Sequence, residues 1–251
     1  MLAMYEKSHE YFTANPDGVA AKARSRSIYQ PDERLAPLLA EFEAYTRVAK
    51  PKKKELQRAG VLLEQIAFIV FDCVRGRGPI KSYPSAGPQH DLLVTGNEVG
   101  WESFVSYVRL DPSKRGVLVE CKATKDPVGD PTFARLCAVL HHNFDTQGGL
   151  GVFFTISGAS GFPRPGTPRQ KHLTNARLRQ VLFYARCRTP IVVLDRDDIL
   201  TLGARGSLVE LLESRIRDIE ELSGVPVDPG PTSEIDLPAH LASLLRPKPP
   251  A

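Results

Sequence analysis

Apolar positions along this chain repeat at two different periods. Leu35, Leu38, Leu39, Phe42 and Tyr45 recur three and four residues apart, which predicts an amphipathic helix over 33–49 capped by Asp32. Pro51 opens a second helix at its first position, where the missing N–H costs nothing. That helix runs to about residue 74. Leu56, Val61, Leu62, Ile66, Ala67, Ile69, Val70 and Phe71 make it apolar over most of its girth, so it is expected to be central and buried.

Further on the period shortens. Residues 79–83 and 90–94 read as strands separated by the turn-rich 84–88 segment. Residues 101–110, with Trp101, Phe104, Val105 and Val108, fit either a helical turn or an irregular strand. A DPSKRG turn precedes a strong strand over 117–124. A helix over 131–143, an apolar strand over 151–156, a basic, proline-containing loop over 157–172 and a helix from Thr174 or Asn175 follow. A buried strand over 190–195, a short turn at Asp197-Asp198 and a last helix over 207–222 complete the pattern.

This order predicts an α/β fold, a mixed central β-sheet flanked by helices, with an N-terminal helical extension. Three regions are expected: an N-terminal arm and helical extension over 1–50, a main domain over 51–223, and a Pro-rich C-terminal tail over 224–251.

Composition narrows the classes. The chain has 251 residues, 42% of them hydrophobic, enough to fill a core. A net charge of +4 is compatible with a polyanionic partner without requiring one. The four cysteines, Cys73, Cys121, Cys137 and Cys187, form no zinc spacing and read as reduced thiols. No apolar run reaches the roughly 18 residues of a bilayer span. The first residues, MLAMYEKSHEYF, lack the apolar core of a secretory signal, so a cytoplasmic location is expected. No GxxxxGK[ST] phosphate loop is present, so no ATPase is expected in this chain.

Candidate chemistry concentrates in GVLVECKAT, residues 116–124. Strand alternation sends Leu118, Glu120 and Lys122 one way, and Val117, Val119 and Cys121 the other, into the core. Either charge alone inside a sheet would carry a large desolvation cost. A plain alternative is a Glu/Lys pair on a solvated sheet face. Asp91 opens an earlier strand, so adjacent strands would bring it close to Glu120. Its plain alternative is a turn residue starting that strand. Glu64 stands inside VLLEQIAF, where a carboxylate is out of place unless it lies on a polar seam or leans over the same spot.

Asp91 followed by Glu120-Cys121-Lys122, with Glu64 on a preceding helix, resembles the PD-(D/E)xK, or restriction-endonuclease-like, nuclease superfamily. The run ECK, helix, GVFFTISG, helix, PIVVLDRDDILTLGARGSLVELLESRI is similar to its Mrr-like branch, over about 56–222. His90 stands where the signature has proline. The resemblance implies a restriction-endonuclease-like core and a Mg2+- or Mn2+-dependent endonuclease that hydrolyses DNA phosphodiesters. It implies Asp91, Glu120 and the main-chain carbonyl of Cys121 as metal ligands, with Glu64 holding a second metal or a water. Lys122, a cation beside carboxylates, is then an electrostatic stabiliser rather than a general base. Three carboxylates against one lysine leave about −2 in one pocket, which requires a counterion.

Arg164, Arg169 and Lys171 in the long loop, and Lys52, Lys53 and Lys54 at a helix start, are candidate phosphate contacts; both groups also fit solvated surface. His141-His142-Asn143 offers a weak HNH-nuclease signal at a helix end, and Trp101 and Tyr107 fit core packing better than base stacking. By analogy with the family, the expected role is restriction or anti-phage defence, with DNA as partner and a homodimer or a separate defence or ATPase subunit as an associate. Alternatives are a DNA repair or junction-resolving nuclease of the same fold, and a non-catalytic nucleic-acid-binding subunit.

Overall fold

The computed structural model describes residues 18–47, 53–82, 91–162 and 174–224. In chain order these form α1 (Gly18–Ile28), α2 (Leu35–Thr46), α3 (Lys53–Asp72), β1 (Ile80–Ser82), β2 (Leu92–Val94), α4 (Val99–Tyr107), β3 (Gly116–Lys122), α5 (Asp130–Ala138), β4 (Gly148–Thr155), α6 (Asn175–Cys187), β5 (Ile191–Leu194), α7 (Arg196–Leu200) and α8 (Ser207–Leu222). Five strands make one mixed sheet in the order β1-β2-β3-β4-β5. The β1–β2 and β2–β3 pairs are antiparallel, and β3–β4 and β4–β5 are parallel.

The parallel strands read as unbroken apolar runs because both sheet faces are covered. On one face Val117, Val119, Leu150, Val152 and Phe154 pack against α3, α4 and α8 and against Ile28, Leu35 and Phe42 of the N-terminal segment. On the other, Leu118, Phe153, Ile191 and Val193 pack against Phe133 and Leu136 of α5 and Ala176 of α6. The expectation that only the Val117/Val119 face meets a core is thereby corrected. Glu120, on the second face, is 2% exposed, so a solvated Glu/Lys pair on an open sheet face is overturned as well.

Other local expectations change for identifiable reasons. Asp32 does not cap α2. Its carboxylate accepts the Arg34 N–H at 2.8 Å in a tight turn, and the helix starts two residues later than expected. Residues 99–107 form a helix, because Trp101, Phe104 and Val105 fall on one helical face and all three are buried. The helix over 131–143 widens into a π-helical turn at Val139–Asn143, which buries Val139 and Leu140 in succession. The turn expected at Asp197-Asp198 is α7, started by a capping box between Asp195 and Asp198.

Helix α3 is buried on one side only. Leu62, Leu63, Ile66, Ala67, Val70 and Phe71 line the core, whereas Lys54, Gln57, Val61, Glu64, Gln65 and Phe68 form an exposed stripe at spacings of three and four. Gly149 is required where β4 meets the turn before β3, since a Cβ there would lie 1.8 Å from the Lys114 carbonyl oxygen. Among the described residues no helix is long and apolar enough to cross a membrane.

Candidate active site

Strand register builds the first half of the site. Leu92 pairs with Val119 and Leu93 with Leu118, so the residue before Leu92, Asp91, comes opposite Glu120. The Asp91 N–H donates to the Val119 carbonyl at 3.0 Å, and its carboxylate accepts the Cys121 N–H at 2.5 Å. The β3 backbone thus fixes the orientation of the Asp91 carboxylate. Charge-assisted bonds of this kind are about twice as strong as neutral ones.

Glu120 and Lys122 project from β3 on the α5 side. The Lys122 ammonium lies 2.5 Å from Glu120 Oε1. The same oxygen accepts from the guanidinium of Arg135, which reaches across from α5. Arg135 was not singled out from the sequence, although a signal existed: it is the one cation in DPTFARLCA, the helix directly after the ECK strand. The local charge becomes −3 from Asp91, Glu120 and Glu64 plus +2 from Lys122 and Arg135, or −1, in place of the expected −2.

Glu64 approaches from the opposite layer. Gly60, one turn before it on α3, passes Ala123 at the end of β3, where an added Cβ would lie 3.6 Å from the alanine methyl. The Glu64 side chain is exposed. Partial desolvation, with the Asp91 charge adding to it, raises its carboxyl above the ordinary value, against the opposing pull of Lys122. Burial, followed by the charges of Asp91, Glu64 and Glu120, pushes the Cys121 thiol well up, so it is no nucleophile at neutral pH.

The raised Glu64 carboxyl has a measurable consequence. Above the folded-state value the native protein holds a carboxylate that it disfavours relative to the unfolded chain, so Glu64 lowers stability at neutral pH. Below the unfolded value the group is protonated in both states and contributes nothing. Glu64→Gln is therefore expected to raise Tm at pH 7 in chelator, with the gain vanishing near pH 4; a Tm that falls at pH 7 contradicts the assigned electrostatics.

The donor chemistry fits a hard divalent cation, since hard ions take carboxylate and carbonyl oxygens. Side-chain placement does not yet make a cage. Among the described residues no group of three or more His, Cys, Asp or Glu is placed to hold a metal ion. Register brings Asp91 beside Glu120 and Lys122 at one strand end, and Glu64 interacts by charge with Asp91 and Lys122, but Glu120 is turned onto cations and the three carboxylates do not form the expected shared ion site among the described residues. A shared ion would need that side chain to turn.

Of the expected phosphate contacts, Lys52, Arg164, Arg169 and Lys171 lie outside the described residues. Lys53 begins α3, and Lys54 is exposed in its first turn beside Glu55. Arg177 N–H donates to the Ser160 carbonyl at 3.3 Å, and Ser157 Oγ donates to the Thr124 carbonyl at 2.8 Å. Trp101 is fully buried, so base stacking is excluded for it, and Arg24 stands over the Tyr107 ring at 5.8 Å. His141 and His142 are exposed in the π-helical turn, away from any metal-binding group among the described residues.

A pocket away from these residues lies past the ends of β4 and β5, lined by Ser157, Arg177, Asp195, Asp198 and Arg215 together with Phe162 and Val193. Burial raises the Asp198 carboxyl despite its 2.7 Å ion pair with Arg215. Compared with protein-family models, with curated proteins and with solved structures, the chain matches none.

Proposed function

We propose that this chain is a divalent-metal-dependent endonuclease with a restriction-endonuclease-like core, acting on DNA phosphodiesters. The observation that carries this reading is the pairing of Asp91 with the Glu120-Cys121-Lys122 strand end, across one antiparallel register step and locked by the Cys121 N–H. The order helix, β1, β2, helix, β3, helix, β4, with β1–β3 antiparallel and β4 parallel to β3, is in keeping with the core that the PD-(D/E)xK resemblance implies, α4 being an added helix between β2 and β3.

In this reading Asp91, Glu120 and the Cys121 carbonyl hold Mg2+ or Mn2+, with Glu64 supporting from the α3 side. The bound ion supplies charge neutralisation for the developing phosphate charge and makes water more acidic. Lys122 adds fixed positive charge to the transition state from its own strand position. The Arg164–Lys171 segment and Lys52–Lys54 are the proposed contacts to the nucleic-acid backbone. A restriction or anti-phage role, and a homodimer or a separate defence or ATPase subunit as partner, follow from the family analogy alone.

A second reading has one observation in its favour. Glu120 is already neutralised by Lys122 and Arg135, as in a binding subunit that needs no ion. Incubating plasmid and single-stranded DNA with the protein in Mg2+ or Mn2+ separates the two. Cleavage that stops in EDTA is the expected result. Salt-sensitive binding without cleavage in either metal would establish the binding subunit instead.

A further inference from the structure

We propose that residues 234–245 of this chain dock into the groove between α5 and α6. Docking of this kind is independent of the nuclease reading. The groove measures about 290 Å3 and has Cys137, Leu178, Leu182 and Phe183 along it. Leu182 is 60% exposed, more than any other large apolar side chain among the described residues, and Leu178, one turn before it, is 41% exposed. Apolar side chains gathered at a groove, unlike ones scattered singly, mark an interaction surface. The rim is cationic. Helix α6 carries Arg177, Arg179 and Arg186 and no acid. Asp130, the acid at the groove, is already held by Arg179 at 2.6 Å, and Arg186 has no ion pair among the described residues.

Charge and reach together select the occupant. Residues 225–251 lie outside the described residues. From Val225 to Leu245 the sequence holds three acids, Asp228, Glu234 and Asp236, and no Lys or Arg. Ile235, Leu237, Leu241, Leu244 and Leu245 stand among or just after those acids. An acidic, apolar segment complements an apolar groove with a cationic rim, whereas a second copy of α6 would set arginine against arginine. The tether also starts in the right place. Tyr184 of α6 donates its hydroxyl to Glu220 Oε1 of α8 at 3.2 Å, four residues before Gly224. Ten residues from Gly224 to Glu234 reach at most about 33–36 Å, whereas α6 is only about 20 Å long. A segment tethered this closely has an effective concentration of about millimolar, so weak contacts suffice to hold it.

Hydrogen–deuterium exchange of the full chain, read by mass spectrometry, tests this. Amides of 234–245 are expected to exchange about tenfold more slowly in the protein than in a synthetic peptide of the same residues. Leu182→Glu changes a side chain too exposed to endanger the fold, and Leu241→Glu leaves the described fold untouched. Each is expected to return 234–245 to the peptide rate. Arg186→Glu is expected to cut the protection about threefold. Peptide-like exchange in wild type overturns the docking. Slow exchange that survives Leu182→Glu overturns it too, by putting the segment elsewhere. A wild-type chain that sediments as a dimer, becomes monomeric in Leu182→Glu and leaves 234–245 at the peptide rate would give the groove to a second copy instead.

Discussion

Glu120→Gln is expected to lower metal-dependent DNA cleavage about a thousandfold while leaving the fold in place. The substitution keeps the shape of a side chain that is 2% exposed and removes the charge that a divalent ion would need. Its structural cost is small for a definite reason. Lys122 and Arg135, the cations that lose their carboxylate, are 30% and 38% exposed, so water can solvate them. The stability change is expected to stay within about 1 kcal/mol. Activity and Tm therefore separate: cleavage disappears and the melting temperature moves by no more than a few degrees. Cleavage retained within tenfold of wild type would falsify the assignment of Glu120 as a ligand.

The second large effect concerns the fold. Trp101→Ala is expected to destabilise the protein by about 3–5 kcal/mol, lowering Tm by roughly 10 °C. Trp101 is fully buried, stacks on Phe104 with centroids 4.7 Å apart, and donates its indole N–H to the Arg115 carbonyl at 3.0 Å. Gly96 is packed so closely against it that an added Cβ would lie 2.5 Å from the indole Cγ. Truncation leaves a cavity that these backbone neighbours cannot fill, and it orphans the Arg115 carbonyl, the last residue before β3. Trp101→Phe keeps most of the volume and is expected to cost about 1–2 kcal/mol. Thermal melts of both variants, with DNA binding by Trp101→Phe as a control, check this. A Trp101→Ala protein that melts within 2 °C of wild type would show that α4 is not part of the core.

Legibility differed between the fold and the site. Element order and the mixed sheet were readable because each strand and helix carries its own period. Helix 207–222 and the strand ending in Lys122 were foreseen to within about two residues. The pairing of Asp91 with Glu120 was readable too, since two neighbouring strands of opposite direction leave few registers. Arg135 was not readable as a partner of Glu120, because nothing in DPTFARLCA states how far α5 sits from β3. The exposure of Glu64 was open in the sequence as the polar-seam alternative, and Gln65 is exposed beside it, but the width of that exposed stripe was not readable. The many apolar residues of α3 suggested burial all round, yet Val61 and Phe68 stand with Glu64 on the outer stripe.

The sequence by itself determined the period of every main element, the alternation that puts Glu120 and Lys122 on one side of β3, and the acid that opens β2. These are properties of a residue and its near neighbours, set by backbone geometry. Only the tertiary structure decided that both sheet faces are covered, that Glu64 stands exposed on the opposite layer within range of the Asp91 and Lys122 charges, and that Glu120 is held by Lys122 and Arg135 together. Those outcomes depend on how layers approach one another. That distance is fixed by the packing of residues far apart in the chain, and no local spacing encodes it.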